Sequence, residues 1–269
     1  MKKILLFIVC TGLTQFLFSQ ISLCSWNLQD FGGTKSDAEI DFIANTLKDY
    51  DVLLIQEVVA KDAAGAQAVA RLHAALNSKG AKWAYAISDV TSGSAYKAER
   101  YAFIWKTSKL AIIGKAWLEK KYNMEIDREP YFATFKAGGK LFTLVNFHSI
   151  TKTRQPEKEI KYLRFLPSEY PDKNLIFCGD FNCPQSNTVF KPLKTMGYKP
   201  IFTGQKTSLR ESYVNNDCLA SELDNMFYNT SKITFLKSGV VYFYKSFTTI
   251  KEARNISDHI PIYFQFSLD

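Results

Sequence analysis

Residues 174–184 of the chain, NLIFCGDFNCP, begin as a continuous apolar run, which is typical of a strand buried on both faces. Gly179 then frees the backbone, and Asp180 and Asn182 follow with Phe181 between them. Because side chains alternate along an extended chain, Asp180 and Asn182 are predicted to share one face while Phe181 points to the core. Open α/β sheets keep their ligands at the carboxyl ends of such strands. The alternative is an ordinary turn, since Asp and Asn after Gly are common turn residues.

Other apolar, strand-like segments also adjoin a residue that can bind a metal or move a proton. The residues concerned are Asn27, Glu57, His148, Asp180 with Asn182, and Asp258 with His259. Each of them alone is explained as an ordinary core or loop residue. Their recurrence at five strand ends favours a common site, because buried or cleft-lining charge is costly unless it is paired or bound to metal.

The chemistry that suits these groups is phosphodiester hydrolysis. Carboxylate and amide oxygens favour Mg²⁺, Mn²⁺ or Ca²⁺ over zinc. A histidine whose tautomer is fixed by a carboxylate can activate water, and a cation with hydrogen-bond donors can neutralise charge developing on a phosphate.

The composition indicates a globular protein with one large domain. The chain has 269 residues, 14% of them aromatic, and a formal net charge of +8. A basic surface favours polyanionic partners, although it does not determine the fold. Pieces typical of βαβ units occur beside hairpins, which predicts a mixed α/β or α+β architecture.

Local patterns predict several elements. Ser36 and Glu39 form a capping box before a helix, and an Ala-rich helix carries Val69, Leu72 and Leu76 as its apolar stripe. Residues 137–140, AGGK, are predicted to join two strands in a hairpin. Further predictions are helices over 156–166 and around 188–196, a polar stretch running to Glu222, an ordinary strand over 240–244 and a final strand over 260–266.

Residues 1–20 are interpreted as a signal peptide, and residues 21–269 as the mature domain. Lys2 and Lys3 form a basic start, the apolar segment 4–18 follows, and small or polar residues come next. This segment is short for a membrane-spanning helix, although an anchored or buried first segment is the alternative. We therefore expect export, to the periplasm or to the exterior.

Four cysteines remain in the mature chain, and an exported protein with an even number of cysteines can form disulfides in three possible pairings. Cys24 and Cys178 lie in apolar runs and are predicted to be buried thiols. Cys183 and Cys218 lie in loop-like sequence and are the better candidates for a bridge.

Read together, a set of short motifs resembles the endonuclease/exonuclease/phosphatase superfamily, and within it the deoxyribonuclease I-like enzymes. In chain order the motifs are SWNLQDFG at 25–32, LIQEV at 54–58, KAERY at 97–101, REP at 128–130, FHS at 147–149, GDFN at 179–182, LD at 223–224 and SDHIP at 257–261. They cover essentially the whole mature chain.

The resemblance implies a four-layer sandwich, in which two mixed β-sheets pack face to face with helices outside and the active residues gather at one edge. It implies Glu57 as the main metal ligand, with Asn27 and Asp258 near the metal or phosphate. It implies two histidine–carboxylate pairs, His259 with Asp224 and His148 with Glu99. Arg128 and Asn182 would hold the phosphate, and Asp180 would position water or a second cation.

The resemblance also implies a substrate class, because the pairing of Glu99 with His148 is typical of the nucleases rather than of the lipid phosphatases. We therefore expect a divalent-cation-dependent DNA endonuclease of low sequence specificity that uses Mg²⁺ or Mn²⁺, with Ca²⁺ as a possible support. DNA is the expected partner, and we expect a monomer without stable membrane association after signal removal. The alternatives are a lipid or small-molecule phosphodiesterase, such as a sphingomyelinase, and a non-catalytic binding module.

The chain departs from the family pattern at three places. Val59 replaces an arginine that contacts the minor groove, and Ala98 interrupts a tyrosine–lysine–glutamate run. The spacing of Cys183 and Cys218 matches the family's loop disulfide only loosely. These departures concern how DNA is gripped and leave the hydrolytic residues in place.

Overall fold

The computed structural model describes residues 20–93 and 98–269. The predicted leader therefore lies almost wholly outside the described residues. So do Tyr96 of the interrupted tyrosine–lysine–glutamate run and Lys97 of the KAERY motif. Within the described ranges, no helix is long and apolar enough to cross a membrane.

Strands are numbered β1 to β15 in chain order, and six of them form the first sheet. These are β1 Ile21–Phe31, β2 Val52–Val59, β3 Trp83–Ile87, β4 Glu99–Lys106, β14 Ile233–Val240 and β15 Ile262–Leu268. Their spatial order is β14-β15-β1-β2-β4-β3. Strands β1 and β2 are parallel and the other pairs are antiparallel, so the sheet is mixed.

The second sheet has seven strands and is also mixed, because β8 and β9 are parallel. Its members are β5 Ala111–Ile112, β6 Trp117–Leu118, β7 Tyr131–Ala137, β8 Lys140–His148, β9 Leu175–Asp180, β10 Tyr198–Pro200 and β13 Asp224–Asn229. The order is β10-β13-β9-β8-β7, with β5 and β6 both paired to β7. A separate two-stranded hairpin consists of β11 Leu209–Val214 and β12 Asp217–Leu219.

Six α-helices flank the sheets in the described part of the chain. They are α1 Asp37–Leu47, α2 Ala64–Asn77, α3 Glu157–Ile160, α4 Leu166–Glu169, α5 Lys191–Thr195 and α6 Ile250–Ile256. Short 3₁₀ turns cover Lys152–Arg154, Leu163–Phe165, Thr188–Phe190 and Phe243–Ser246.

Three apolar clusters show that the molecule has four layers. The central cluster joins the facing sides of the two sheets, with Phe103 and Phe264 from the first and Phe142 and Met226 from the second. A second cluster packs α1, α2 and α6 on the outer face of the first sheet. The third packs α3, α4 and α5 on the outer face of the second sheet. The predicted sandwich is therefore present.

Several local predictions are confirmed. Ser36 caps α1 and forms the reciprocal capping box with Glu39. The apolar stripe of α2 is buried at Val69, Leu72 and Leu76. The hairpin between β7 and β8 turns at Gly138 and Gly139, which both have positive φ.

Other local predictions are wrong. The segment 240–244 is not one strand, because β14 ends at Val240. Phe243 lies in a 3₁₀ turn, and its ring centroid is 5.0 Å from that of Trp26. The helix predicted over 156–166 is divided into α3, a 3₁₀ turn and α4. The polar stretch before Glu222 contains the β11–β12 hairpin, whose exposed residues lack the apolar alternation of a half-buried strand.

The bridge suspected between Cys183 and Cys218 is not formed. All four cysteines in the described residues are free thiols. Cys183 packs in the outer cluster of the second sheet, whereas Cys218 packs in the outer cluster of the first sheet. The two thiols therefore lie in different apolar layers, and the loop-like sequence around Cys183 and Cys218 did not indicate how far apart they are.

A buried polar contact joins the two sheets near the site. Gln56 on β2 donates from Nε2 to the side-chain oxygen of Asn146 on β8. The Asn146 amide nitrogen donates to the backbone carbonyls of Ile55, at 3.1 Å, and Ala102, at 3.3 Å. Both side chains are fully buried, so this contact fixes how β8 lies against β2 and β4.

Replacing Asn146 by leucine is predicted to destabilise the protein by about 3 kcal/mol, because it leaves buried groups on Gln56, Ile55 and Ala102 without their partner. Urea unfolding followed by circular dichroism measures this change. Asn45→Leu on the exposed face of α1 is the matched control and is expected to change stability by less than about 0.5 kcal/mol. A stability of Asn146→Leu equal to that of the parent would contradict the inter-sheet role.

Candidate active site

A cleft of about 670 Å³ lies at one end of the sandwich, and seven of the ten predicted site residues line it. These are Glu57, Arg128, His148, Asp180, Asn182, Asp258 and His259. The other three, Asn27, Glu99 and Asp224, are buried directly behind and contact the lining residues. The structure therefore brings all ten together.

The Asp180 carboxylate lies at the centre of this group and is almost fully buried. Its Oδ2 atom is 3.2 Å from Asn27 Nδ2, 3.4 Å from His148 Nε2 and 3.6 Å from His259 Nε2. Both histidines and the amide thus converge on one oxygen.

Residues 179–182 act both as the end of a strand and as a turn. Gly179 has a φ of 138°, and a Cβ there would lie 2.0 Å from the Phe147 carbonyl oxygen, so only glycine lets β9 approach β8 this closely. Asn182 has a φ of 49°, and its backbone N–H donates to Asp180 Oδ1 at 2.8 Å. Its side chain donates to the Ser149 carbonyl at 3.1 Å. The turn, rather than strand alternation, brings Asn182 beside Asp180.

The pair of His148 and Glu99 is formed. His148 Nδ1 lies 2.9 Å and 3.0 Å from the two Glu99 carboxylate oxygens, so Glu99 fixes the ring and leaves Nε2 toward Asp180. Burial lowers the pKa of His148, and the nearby Arg128 guanidinium lowers it further. Burial raises the pKa of Glu99, against the opposing effect of Arg128. The lowered pKa favours the neutral imidazole of His148, with Nε2 3.4 Å from Asp180 Oδ2.

The pair of His259 and Asp224 is also formed, with His259 Nδ1 2.7 Å from Asp224 Oδ2. The Thr207 hydroxyl donates to the same oxygen at 2.6 Å. Burial lowers the pKa of His259, but the charges of Asp224 and Asp180 outweigh burial and hold this pKa well above its usual value. The surroundings therefore shift the pKa values of the two histidines in opposite directions, although each is held by a carboxylate.

Glu57 reaches the cleft through an irregularity in β2. Its φ is 58°, in the left-handed region, and the pairing of β2 with β4 shifts register between Ile55 and Val58. Such a bulge bends the strand and redirects a side chain. The carboxylate accepts from Asn27 Nδ2 at 2.9 Å and from the backbone N–H of Asp30 at 3.2 Å.

The residues fit a hard divalent cation. The side-chain oxygen Oδ1 of Asn27 is buried and has no hydrogen-bond partner among the described residues. Glu57 presents a carboxylate that is 27% exposed at the cleft. Ligand atoms of Asp180, Asp224 and His259 also lie within 4.8 Å of one another, but Asp224 and His259 are already hydrogen-bonded to each other. Glu57 with Asn27 is the better-suited pair.

Arg128 and Asp258 line the cleft in different surroundings. Arg128 donates to the carbonyls of His148 and Ser149 and lies 3.4 Å from Glu99, so it holds the β8 end as well as supplying positive charge. Asp258 Oδ2 lies 3.6 Å from Arg254 NH2 on α6.

Three supporting residues were not predicted. Thr207 holds Asp224, and Arg254 connects Asp258 to the hairpin by donating to the Leu209 carbonyl. The Ser257 hydroxyl donates to the Asn27 carbonyl at 2.6 Å and accepts from the His259 backbone N–H at 3.0 Å. Ser257 lies inside the recognised SDH motif, whereas Thr207 and Arg254 lie in polar segments with no pattern that singles them out.

Comparison with known families decides the relationship. The model of the endonuclease/exonuclease/phosphatase family matches residues 24–259. The chain belongs to the endonuclease/exonuclease/phosphatase family.

Relatives within the endonuclease/exonuclease/phosphatase family include deoxyribonucleases. The chain is 26% identical to a deoxyribonuclease of Thioalkalivibrio sp. (strain K90mix), over 92% of this chain and 71% of that protein. It is 28% identical to deoxyribonuclease gamma of Rattus norvegicus, over 91% of this chain and 84% of that protein. The deoxyribonuclease I-like resemblance is thus confirmed.

Similar solved structures confirm the fold. An endonuclease/exonuclease/phosphatase from Bacteroides vulgatus superposes with a TM-score of 0.67 at 16% identity, covering 93% of this chain and 99% of that chain. D. rerio TDP2 complexed with single strand DNA product superposes with a TM-score of 0.64 at 16% identity, covering 93% and 99% of the two chains.

Proposed function

We propose that this chain is an exported, divalent-cation-dependent endonuclease that hydrolyses DNA phosphodiester bonds with low sequence specificity through histidine-assisted attack of water. The observation that carries the proposal is the buried Glu99–His148 pair beside Asp180, formed as in the deoxyribonuclease-like pattern. The family and its deoxyribonuclease members support a nuclease of this type.

The chain's own residues supply proton transfer and charge. Each histidine is anchored at Nδ1 by a carboxylate, and both Nε2 atoms lie within 3.6 Å of Asp180 Oδ2. One imidazole can take a proton from water while the other gives a proton to the leaving oxygen. Arg128 and the Asn182 amide at the cleft wall are suited to hold the phosphate.

Glu57 and Asn27 would hold the cation, with Asp258 close to it or to the phosphate. Mg²⁺ is the ion best suited to this oxygen donor set, with Mn²⁺ as a substitute and Ca²⁺ in a supporting role. When bound, the cation supplies positive charge against the charge developing on the phosphate.

A second candidate is a phosphodiesterase of the same family acting on lipids such as sphingomyelin. The observation that favours it is the β11–β12 hairpin, where Tyr213 is 57% and Val214 is 49% exposed. Val214 also lines the cleft, so this end of β11 lies beside the proposed chemistry. A single exposed aromatic residue is weaker support than the complete histidine–carboxylate arrangement.

Purified protein is expected to nick supercoiled plasmid DNA in Mg²⁺ and to lose that activity with a chelator. His148→Ala and His259→Ala are each expected to slow nicking at least about 10²-fold, because each removes a proton-transfer group. Agarose gels over a time course measure the rates. His73→Ala on α2 is the matched control, since the His73 ring bonds the Asn77 side chain on the same helix and the Trp83 carbonyl at the start of β3, and His73 does not line the cleft.

Absence of nicking with any divalent ion, together with parent-like behaviour of both variants, would contradict the nuclease. The same preparations are assayed on single-stranded DNA, RNA and sphingomyelin vesicles. Hydrolysis of sphingomyelin alone, reduced by Tyr213→Ser, would establish the second candidate instead.

Export is proposed from Lys2, Lys3 and the apolar segment 4–18. Protein recovered from the periplasm or medium is expected to begin near Ser19 to Ile21, because the leader is removed. Intact-mass measurement determines the N-terminal residue of the recovered protein. An unprocessed chain retained inside the cell would contradict export.

A further inference from the structure

The outer face of the second sheet carries a surface on which aromatic rings and cations alternate. We call Tyr122, Lys161, Tyr162, Arg164 and Phe165 the basic-aromatic surface. Tyr122 follows β6, and the other four lie on and beside the 3₁₀ turn Leu163–Phe165. None of these residues belongs to the catalytic cleft.

The three rings touch one another. The Tyr122 centroid lies 5.4 Å from that of Tyr162 and 5.9 Å from that of Phe165. Phe165 is 37% exposed and the two tyrosines are half-buried, so the group presents ring surface to solvent. Burying such rings with a ligand is favourable, whereas their present exposure adds nothing to stability.

The cations are arranged for an anionic ligand. Lys161 Nζ lies 5.0 Å from the Tyr162 centroid, and the Arg164 guanidinium carbon lies 4.6 Å from that of Phe165. Both side chains are exposed, and neither forms an ion pair with a described residue. Their charge is therefore available to phosphates.

The basic-aromatic surface and the catalytic cleft are linked along the chain by residues of a neighbouring groove. Thr151 lines the cleft, and the adjoining Ile150, with Arg154 and Lys158, lines a neighbouring groove of about 430 Å³. Met124, two residues from Tyr122, lines the same groove, and so do the acidic residues Glu125, Asp127 and Glu159. Along the chain, Arg154 and Lys158 thus lie between Thr151 at the cleft and Lys161 of the basic-aromatic surface.

The groove has a fixed position relative to the cleft. The buried carboxylate of Glu159 accepts from the backbone N–H of Ile150 at 2.8 Å and of Asp127 at 2.7 Å. These bonds tie α3 to the two loops that follow His148 and precede Arg128. The spacing between cleft and rings is therefore set by the fold.

We propose that the basic-aromatic surface binds an unpaired strand of nucleic acid that extends from the catalytic cleft. This deepens the proposed function and rests on it for the identity of the substrate. Unstacked bases pack on aromatic rings while lysine and arginine contact the phosphates, and duplex DNA does not offer its base faces in this way. Solvated lysines around surface rings are the simpler interpretation, but they do not account for three rings in mutual contact beside two cations that have no ion-pair partner among the described residues.

Binding is measured by fluorescence anisotropy of a labelled 20-nucleotide single strand with the full chain in chelator. Phe165→Ala and the double variant Lys161→Gln with Arg164→Gln are each expected to weaken affinity about tenfold. The double variant is also expected to flatten the dependence of log affinity on log salt by about 0.7 for each phosphate that the protein no longer neutralises. Phe165→Tyr, which keeps a ring, is expected to bind like the parent.

The matched control is Lys48→Gln with Lys82→Gln, which removes the same charge from exposed sites on the side of the first sheet. It is expected to leave affinity within about twofold, because those sites lie away from the groove. Melting curves confirm that all variants are folded. Equal loss of affinity in the control and the surface variant would show a net-charge effect and overturn the proposal.

The binding assay requires no catalysis, so its outcome is distinct from that of the proposed function. If the parent cuts DNA, the surface variants are expected to cut a four-nucleotide strand normally and a 20-nucleotide strand about tenfold more slowly at limiting substrate. Parent-like binding and cutting of the long strand would overturn the proposal while leaving the nuclease intact. Loss of binding to anionic phosphatidylglycerol vesicles, with unchanged strand binding, would identify a membrane contact and also overturn it.

Discussion

The buried carboxylate of Asp180 is the group on which the arrangement of the site depends. Asn27 and His259 approach it from the first sheet, and His148 and Asn182 approach it from the second. A carboxylate removed from water is costly unless hydrogen bonds and opposite charge compensate. The His259 imidazole, whose pKa is held above its usual value by the nearby carboxylates, and the two amides provide that compensation around one oxygen.

The histidine–carboxylate pairs cross between the sheets. His148 on β8 is held by Glu99 on β4, and His259 beside β15 is held by Asp224 on β13. Face-to-face packing is therefore a condition for the chemistry as well as for the core. The Gln56–Asn146 contact reinforces the same packing just behind the cleft. A disturbance of sheet packing is expected to reach both imidazoles together.

Much of this could be predicted from the sequence, because strand ends carry a double signal: an apolar run and then an unusual polar residue. Asp180, His148 and Glu57 are all found in this way, and the family pattern supplies Glu99 and Asp224, the partners of His148 and His259. Thr207 and Arg254 were not predicted, because they lie in polar segments where no adjoining apolar run marks one polar residue as different from the others. Cys183 and Cys218 were mispaired because sequence shows that a residue lies in a loop without showing which apolar layer the loop covers.

The central claim is that both histidines act as one unit through Asp180, and a double-mutant cycle in DNA cleavage tests it most directly. His148→Ala, His259→Ala and the double variant are compared with the parent under one Mg²⁺ concentration. Groups that act as a unit are strongly non-additive, so if each single variant loses about 10³-fold, the double variant is expected to lose at most about tenfold more. Losses that multiply to about 10⁶-fold would show that the histidines act independently and would contradict the account.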